Sequence, residues 1–189
     1  MNRDGFWDLI HESLSDWDPE LREGNADRQQ AVLRELLSAL PTSEVVSFEN
    51  HFAEATNRAY RWDLWAAAYT IFSGCSDDGF MDFRDGLVSL GRAVYDAALD
   101  DPESLLAVAR SNKVDSLICE GFGAIAYEVL EGRGEEEALE AARSEHPHPR
   151  KPAGRRWNPE ELPSLLPGLW AAFGEGAAEQ SDEPDEAQS

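Results

Sequence analysis

Apolar side chains recur every three or four residues over most of this chain, and this spacing constrains the fold more than any other feature. An α-helix has about 3.6 residues per turn, so this period places the apolar residues on one helix face. Three clear series are Phe6, Leu9, Ile10, Leu14 and Trp17; Phe80, Phe83, Leu87, Leu90 and Val94; and Val114, Leu117, Ile118, Phe122, Ile125 and Val129. No segment shows the clean two-residue alternation of a strand, and the sequence therefore predicts an all-α fold.

One predicted helix is apolar on nearly every side. It contains Trp62, Leu64, Trp65, Ala66, Ala67, Ala68, Tyr69, Ile71 and Phe72. A helix that is hydrophobic all round is normally buried on all sides. We therefore expect the segment from Trp62 to Phe72 at the centre of the core.

The series from Val114 to Val129 predicts one long helix, although it contains Gly121 and Gly123. Each glycine costs about 1 kcal/mol relative to alanine inside a helix. We therefore expect a neighbouring helix to approach closely at these two positions.

The length of 189 residues is consistent with one domain. We expect a single compact multi-helix domain, with about seven to eight helices, over residues 1–173. A basic, proline-rich loop lies inside it at about residues 144–157. Residues 174–189 are acidic and contain no apolar side chain larger than alanine, which predicts a disordered acidic C-terminal tail.

The chain carries a formal net charge of -22 at pH 7, from 38 acidic and 16 basic residues. A field of this sign repels phosphate backbones, so we expect no nucleic-acid ligand and favour a protein partner with a basic surface. The basic loop holds the cations Arg150, Lys151, Arg155 and Arg156. Four cations do not make a nucleic-acid footprint, and we expect this loop to fold back on the protein's own acidic surface.

Cysteine usage and hydropathy indicate the compartment. Cys75 and Cys119 are isolated from each other in sequence, which favours reduced thiols over a disulfide framework. No apolar stretch approaches the roughly 18 residues that cross a bilayer, and no apolar signal-peptide region follows Met1. We predict a cytoplasmic protein that does not bind membranes, and the sequence leaves its oligomeric state open.

Polar residues concentrate where the apolar helix ends and the next helix begins. Loops of this kind on rigid scaffolds often bind ligands. A functional interpretation is a small polar pocket formed by Arg61, Asp63, Cys75, Ser76, Asp77, Asp78, Asp82 and Arg84. A structural interpretation is equally open: Ser76 or Asp77 caps the next helix, Asp78-Gly79 forms a turn, and Arg61 pairs with Asp63 at the surface.

Specific catalytic and metal-binding signals are weak. A nucleophilic Cys75 would need a neighbouring base and a lowered pKa, and no histidine shares a motif with it. The acids Asp77, Asp78 and Asp82 lack the spacing of a calcium loop, and the chain has no CxxC or HExxH motif. We predict no metal and no cofactor, and we assign no catalytic residue.

Several stretches carry a family resemblance. They are Phe6-Trp7-Asp8-Leu9-Ile10, Phe48-Glu49 with His51-Phe52, the runs Tyr60–Tyr69 and Gly74–Phe80, Phe83-Arg84 and Gly91-Arg92. Together they resemble the uncharacterised bacterial family DUF4240 over roughly residues 3 to 130, and the stretch from Trp157 to Trp170 is similar to its usual ending. The resemblance implies a helical bacterial domain without an established activity, so no catalytic residue is transferred.

Two hypotheses about function follow. The first is a non-catalytic protein-interaction or regulatory module with an acidic surface. The second is a small-ligand-binding protein or enzyme that uses the polar segment 74–84. A pocket of a few hundred cubic ångströms, lined by the candidate residues and containing carboxylates of raised pKa, would favour the second.

Overall fold

A computed structural model describes residues 1–21, 23–111, 113–139 and 148–180, the last six of them by backbone alone. Ten α-helices lie wholly in these ranges: α1 (Arg3–Ser13), α2 (Asn25–Ser38), α3 (Thr42–Arg58), α4 (Trp62–Ile71), α5 (Asp77–Ser89), α6 (Arg92–Asp100), α7 (Leu105–Ala109), α8 (Ile125–Glu131), α9 (Leu162–Leu165) and α10 (Pro167–Gln180). Residues 137–139 are also helical. The only β-type pairing in the described part is an isolated bridge between Arg61 and Ala153. The all-α prediction is confirmed.

The number of helices exceeds the seven to eight predicted, partly because glycine and proline divide two predicted helices. The series from Val114 to Val129 becomes a 3-10 helix (Val114–Leu117), an extended residue, a turn at Gly121, a second 3-10 helix (Phe122–Ala124) and α8. Gly121 has φ +82°, a left-handed conformation that ends a helix. Pro167 begins α10 and separates it from α9, because a residue before proline is disfavoured in the helical region.

One continuous hydrophobic core extends from Phe6 to Leu169. Helix α5 contributes side chains that are completely buried, among them Phe80, Phe83 and Leu87. Helix α4 buries its alanines and leucine, whereas its large aromatic side chains are only half-buried. The expected central position of α4 therefore holds for its small residues, and α5 supplies the aromatic centre.

Helix α5 packs against α3, α4, α6 and the 3-10 helix Val114–Leu117. Helix α4 packs along α10, and α3 packs against α8. These contacts leave one face of α5 facing the chain around Gly121, where the candidate site lies.

The last helix overlaps the predicted tail, which was expected to begin at residue 174. Helix α10 continues to Gln180, six residues beyond Gly174, and residues 181–189 lie outside the described residues. No described helix is both long and apolar enough to cross a membrane.

The described half of the basic loop, residues 148–157, folds back onto the protein. The backbone N–H of Ala153 donates to Tyr60 O at 2.8 Å, and that of Trp62 donates to Ala153 O at 3.0 Å. The Arg156 guanidinium lies 5.4 Å from the ring centre of Trp62. Residues 144–147 of the predicted loop lie outside the described residues.

Candidate functional site

Residues 73–76, which we call the corner, connect α4 to α5 and are held by specific hydrogen bonds. The Ser76 hydroxyl accepts from Gly79 N at 3.1 Å and caps α5, as in the structural interpretation. The Trp65 indole N–H donates to Cys75 O at 2.9 Å. The backbone adopts positive φ at Ser73 (55°) and Gly74 (127°). Residues 73–76 thus position α5, and they do not form a pocket of their own.

Stacked aromatic rings hold this corner in place. Trp65 stacks on Trp62 at 5.2 Å and on Phe80 at 4.7 Å between ring centres. Phe80 also stacks on Phe83 at 5.9 Å. Such contacts add stability beyond the buried area, and they fix α4 relative to the start of α5.

Cys75 is half-buried beside this corner, and its thiol is poorly suited to nucleophilic chemistry. Burial, and then the negative charges of Asp82 and Asp77, raise the pKa of Cys75 to about 12. Burial likewise raises the pKa of Cys119 to about 11. Both thiols are therefore protonated at neutral pH, and neither has the lowered pKa that a nucleophilic cysteine needs.

Arg61 and Asp63 line one cavity, which we call the smaller cavity, of about 290 Å³. Its walls also include Asp101, Arg155, Trp157 and Leu165. Arg61 donates from Nε to Asp63 Oδ1 at 3.0 Å and from Nη1 to Leu99 O at 2.7 Å. Both arginines of this cavity thus have an acidic partner in the protein, because Arg155 pairs with Glu161 at 2.7 Å.

Asp78, Asp82 and Arg84 line a different and larger space, which we call the acidic groove. It has a volume of about 890 Å³ and lies between α3, α5 and the chain from Glu120 to Tyr127. Asp85 and Glu120 also line it. Cys75, Ser76 and Asp77 line neither space, and so the structure divides the eight predicted site residues among three places.

The acids on α5 form a stripe along the groove. Asp78, Asp82 and Asp85 are separated by four and three residues, so they share one helix face over roughly 10 Å. The pKa of Asp82 is raised, first by burial and then by the charges of Glu120 and Asp78. In the described part of the chain, Asp78, Asp82 and Glu120 form no ion pair with a cationic side chain. This wall therefore holds mutually repelling carboxylates.

Asp85 is half-buried deeper in the groove. Burial raises its pKa to about 7, and the charges of Asp82 and Glu49 act in the same direction. The Arg84 cation and the backbone N–H of Gly123 oppose this rise. A Cβ atom at Gly123 would lie 2.6 Å from Asp85 Oδ2, so glycine is needed for the backbone to approach this carboxyl. Close approach at Gly123 was expected, but the neighbours are side chains of α3 and α5.

Arg84 is only 4% exposed, and its guanidinium is held by neutral groups. Its Nε donates to Phe80 O at 3.3 Å, and its Nη1 donates to Thr56 O at 3.2 Å. The guanidinium carbon lies 4.6 Å from the ring centre of Tyr60. Burial lowers the pKa of Arg84. No carboxylate lies within ion-pair distance of Arg84 in the described ranges.

The described residues contain no group of three His, Cys, Asp or Glu side chains arranged as metal ligands. The described acids of the groove therefore do not converge on one point.

Sequence reasoning missed Asp85 and Glu120. The signal for Asp85 was available, because it continues the helical spacing of Asp78 and Asp82 on the face opposite the apolar series of α5. Glu120 gave no such signal, because the predicted long helix placed it on an unrelated face. Asp77 was included because it is adjacent to Asp78, yet the two side chains point in different directions on the helix.

A family model described as "Protein of unknown function (DUF4240)" matches residues 1–131, in agreement with the resemblance. The matched range contains every described lining residue of the acidic groove except His148. In contrast, half of the smaller cavity's lining, from Gly154 to Leu166, lies beyond it. No curated protein and no solved structure matches the chain.

Proposed function

The chain belongs to the DUF4240 family of unknown function, and from this premise and the geometry of the acidic groove we propose that it binds a small ligand carrying a cationic group. The cationic group is an ammonium or a guanidinium. The ligand lies in the groove with this group against Asp78, Asp82 and Glu120. We assign no catalytic residue.

The observation that carries this proposal is the lining of the groove, which brings Asp78, Asp82 and Glu120 together without a cationic partner in the described part of the chain. The raised pKa of Asp82, caused first by burial, supports it. The charges of Glu120 and Asp78 contribute to it, so these carboxylates lie close enough to repel one another. A bound cation would replace this repulsion with attraction. The volume of about 890 Å³ is within the range of small-ligand sites.

A second candidate is the non-catalytic interaction module, whose partner presents a lysine or arginine from a basic surface. Met81 favours it, because this side chain lines the groove and is 50% exposed. The net charge of -22 would speed the approach of such a partner.

Titration with n-hexylamine tests the first candidate, with Asp78→Asn and Asp77→Asn as a matched pair. Both acids are exposed and lie in the first turn of α5, but only Asp78 lines the groove. We expect Asp78→Asn to weaken hexylammonium binding at least about threefold. Asp77→Asn should leave the affinity unchanged, and calorimetry or NMR shifts measure both.

Equal effects of the two substitutions would show that only the overall charge attracts the amine. Absence of any hexylamine binding to the native protein would contradict the first candidate. A different result would favour the second candidate over the first. A lysine-rich peptide would bind tightly, hexylamine would not bind, and Asp78→Asn would weaken the binding of the peptide.

A further inference from the structure

The groove contains one strongly buried charge of opposite sign. We propose, building on the proposed function, that the ligand is a zwitterion whose carboxylate binds the Arg84 guanidinium while its cationic group lies against Asp78 and Asp82. The arginine thus selects for an amino-acid-like ligand over a simple amine.

Burial without a counter-ion is the first argument. A charge that is removed from water is normally paired with an opposite charge. Arg84 is 96% buried, yet the hydrogen-bond acceptors around it are the neutral oxygens of Phe80 and Thr56 and a histidine ring. A ligand carboxylate would supply the missing counter-ion.

The orientation of the guanidinium is the second argument. His148 Nε2 lies 3.1 Å from Arg84 Nη1, and His148 Nδ1 lies 2.7 Å from Pro149 O. A neutral ring that donates from Nδ1 to this carbonyl accepts from Nη1 at its Nε2. Nε and Nη1 are thus occupied, and Nη2 has no hydrogen-bond partner in the described part of the chain. Nη2 is not a fully enclosed unpaired atom, and Arg84 is one of the residues that line the groove. We therefore assign Nη2 as the donor to the ligand carboxylate.

Fixed packing around the guanidinium is the third argument. The Tyr60 and Phe80 rings lie 4.6 and 5.5 Å from its carbon, and Tyr60 also contacts the His148 ring at 4.9 Å between centres. The cation therefore cannot swing away to an acid elsewhere on the surface. A guanidinium that is held before the ligand arrives binds a carboxylate with a small entropic cost.

Asp85 is the acid of the protein that could pair with Arg84 in place of a ligand carboxylate. It follows Arg84 in sequence and lines the same groove, but no ion pair forms between their side chains. Its pKa of about 7 means that much of it is uncharged at neutral pH. The other acids of the groove disfavour a doubly charged phosphate, and a singly charged carboxylate is the group that fits.

Three six-carbon probes test the proposal on the full chain: ε-aminocaproate, n-hexylamine and caproate. They carry both charges, the cation alone and the anion alone. We expect ε-aminocaproate to bind about tenfold more tightly than hexylamine, which is the worth of one charge-assisted hydrogen bond. Caproate alone should bind most weakly, because the acidic wall repels it.

The Arg84→Gln variant should lose this tenfold preference, and it should bind hexylamine no more weakly than the native protein does, because the substitution removes a cation from the groove. Circular dichroism checks that the variant folds. If it does not fold, the comparison of the three probes on the native protein decides by itself.

The outcomes separate the two proposals. Equal binding of ε-aminocaproate and hexylamine overturns the carboxylate site and leaves the proposed cation site intact. Tight binding of caproate with no binding of hexylamine overturns the cation site and supports Arg84 as an anion site. Failure of all three probes to bind overturns both.

Discussion

The smaller cavity and the acidic groove are both lined by arginine and acidic side chains, but these charges have different partners in the two spaces. In the smaller cavity, Arg61 pairs with Asp63 and donates to Leu99 O, and Arg155 pairs with Glu161. In the groove, Arg84 has no carboxylate partner in the described ranges, and Asp82 is surrounded by other acids. Both spaces contain residues from the same predicted site.

This difference is the reason that we propose the groove, and not the smaller cavity, as the ligand site. Charges that the protein already pairs stabilise the fold modestly and have little to offer an incoming molecule. Charges that the fold buries or crowds without partners cost stability, and a ligand of complementary charge recovers that cost. The candidate site is therefore the groove, although the smaller cavity is more enclosed.

We expect the largest effect on the free energy of unfolding from a glycine substitution in the groove, compared with one in the smaller cavity. Gly123→Ala would place Cβ 2.6 Å from Asp85 Oδ2 and 3.1 Å from Phe52 Cε1. We expect a loss of about 2–3 kcal/mol in the free energy of unfolding, since packed neighbours must move. At Gly154 a Cβ meets nothing within 4 Å, and only φ +84° opposes it, so Gly154→Ala should cost about 1 kcal/mol. Urea unfolding measures both, and equal losses would show that the groove wall is not tightly packed.

A second prediction concerns how stability depends on pH through Asp85. Its folded pKa of about 7 exceeds the value of 3.8 of an unperturbed aspartate, so the folded state binds more protons between these values. The contribution is present below the unfolded pKa and is lost as pH rises through 7. Because the groove is open to solvent, we expect a loss of about 1–2 kcal/mol between pH 4.5 and 8.

Asp85→Asn should remove most of that loss, and Asp82 should account for part of the remainder because its pKa is raised as well. Denaturant unfolding across this pH range checks the prediction. A pH dependence identical to that of the native protein would show that Asp85 is charged in the folded state near neutral pH.

The smallest expected effect concerns Glu161, which pairs with Arg155 of the smaller cavity. Its contribution to stability changes with pH in the direction opposite to that of Asp85. The backbone N–H of Asn158 and then Arg155 lower the pKa of Glu161. Its contribution is present above the unfolded pKa and is lost as pH falls through the folded value. Glu161→Gln should therefore lower the thermal midpoint slightly at pH 7 and not at pH 3. If Glu161→Gln changed the pH dependence of stability more than Asp85→Asn does, the paired charges of the smaller cavity would matter more for stability than the unpaired charges of the groove.

The candidate site was predictable from the sequence only in part. The sequence prediction included Asp78 and Asp82, which line the groove, but it omitted Asp85, although Asp85 continues their helical spacing. Arg61 and Asp63 were grouped with them because they are near in sequence, but α4 directs them to the other cavity. Ser76 proved to be a helix cap, because a serine before a helix satisfies a backbone N–H locally.

The sequence by itself determined the helical class and the family, because these depend on periodicity and short-range patterns. Only the tertiary structure decided where the chain bends at Gly121, and therefore which face Glu120 and Gly123 present to α5. It also decided which charges have partners, because pairing depends on residues far apart in sequence. Arg84 and Arg61 look alike along the chain, and only their neighbours in space show that Arg61 pairs with an acid whereas Arg84 is held by neutral oxygens.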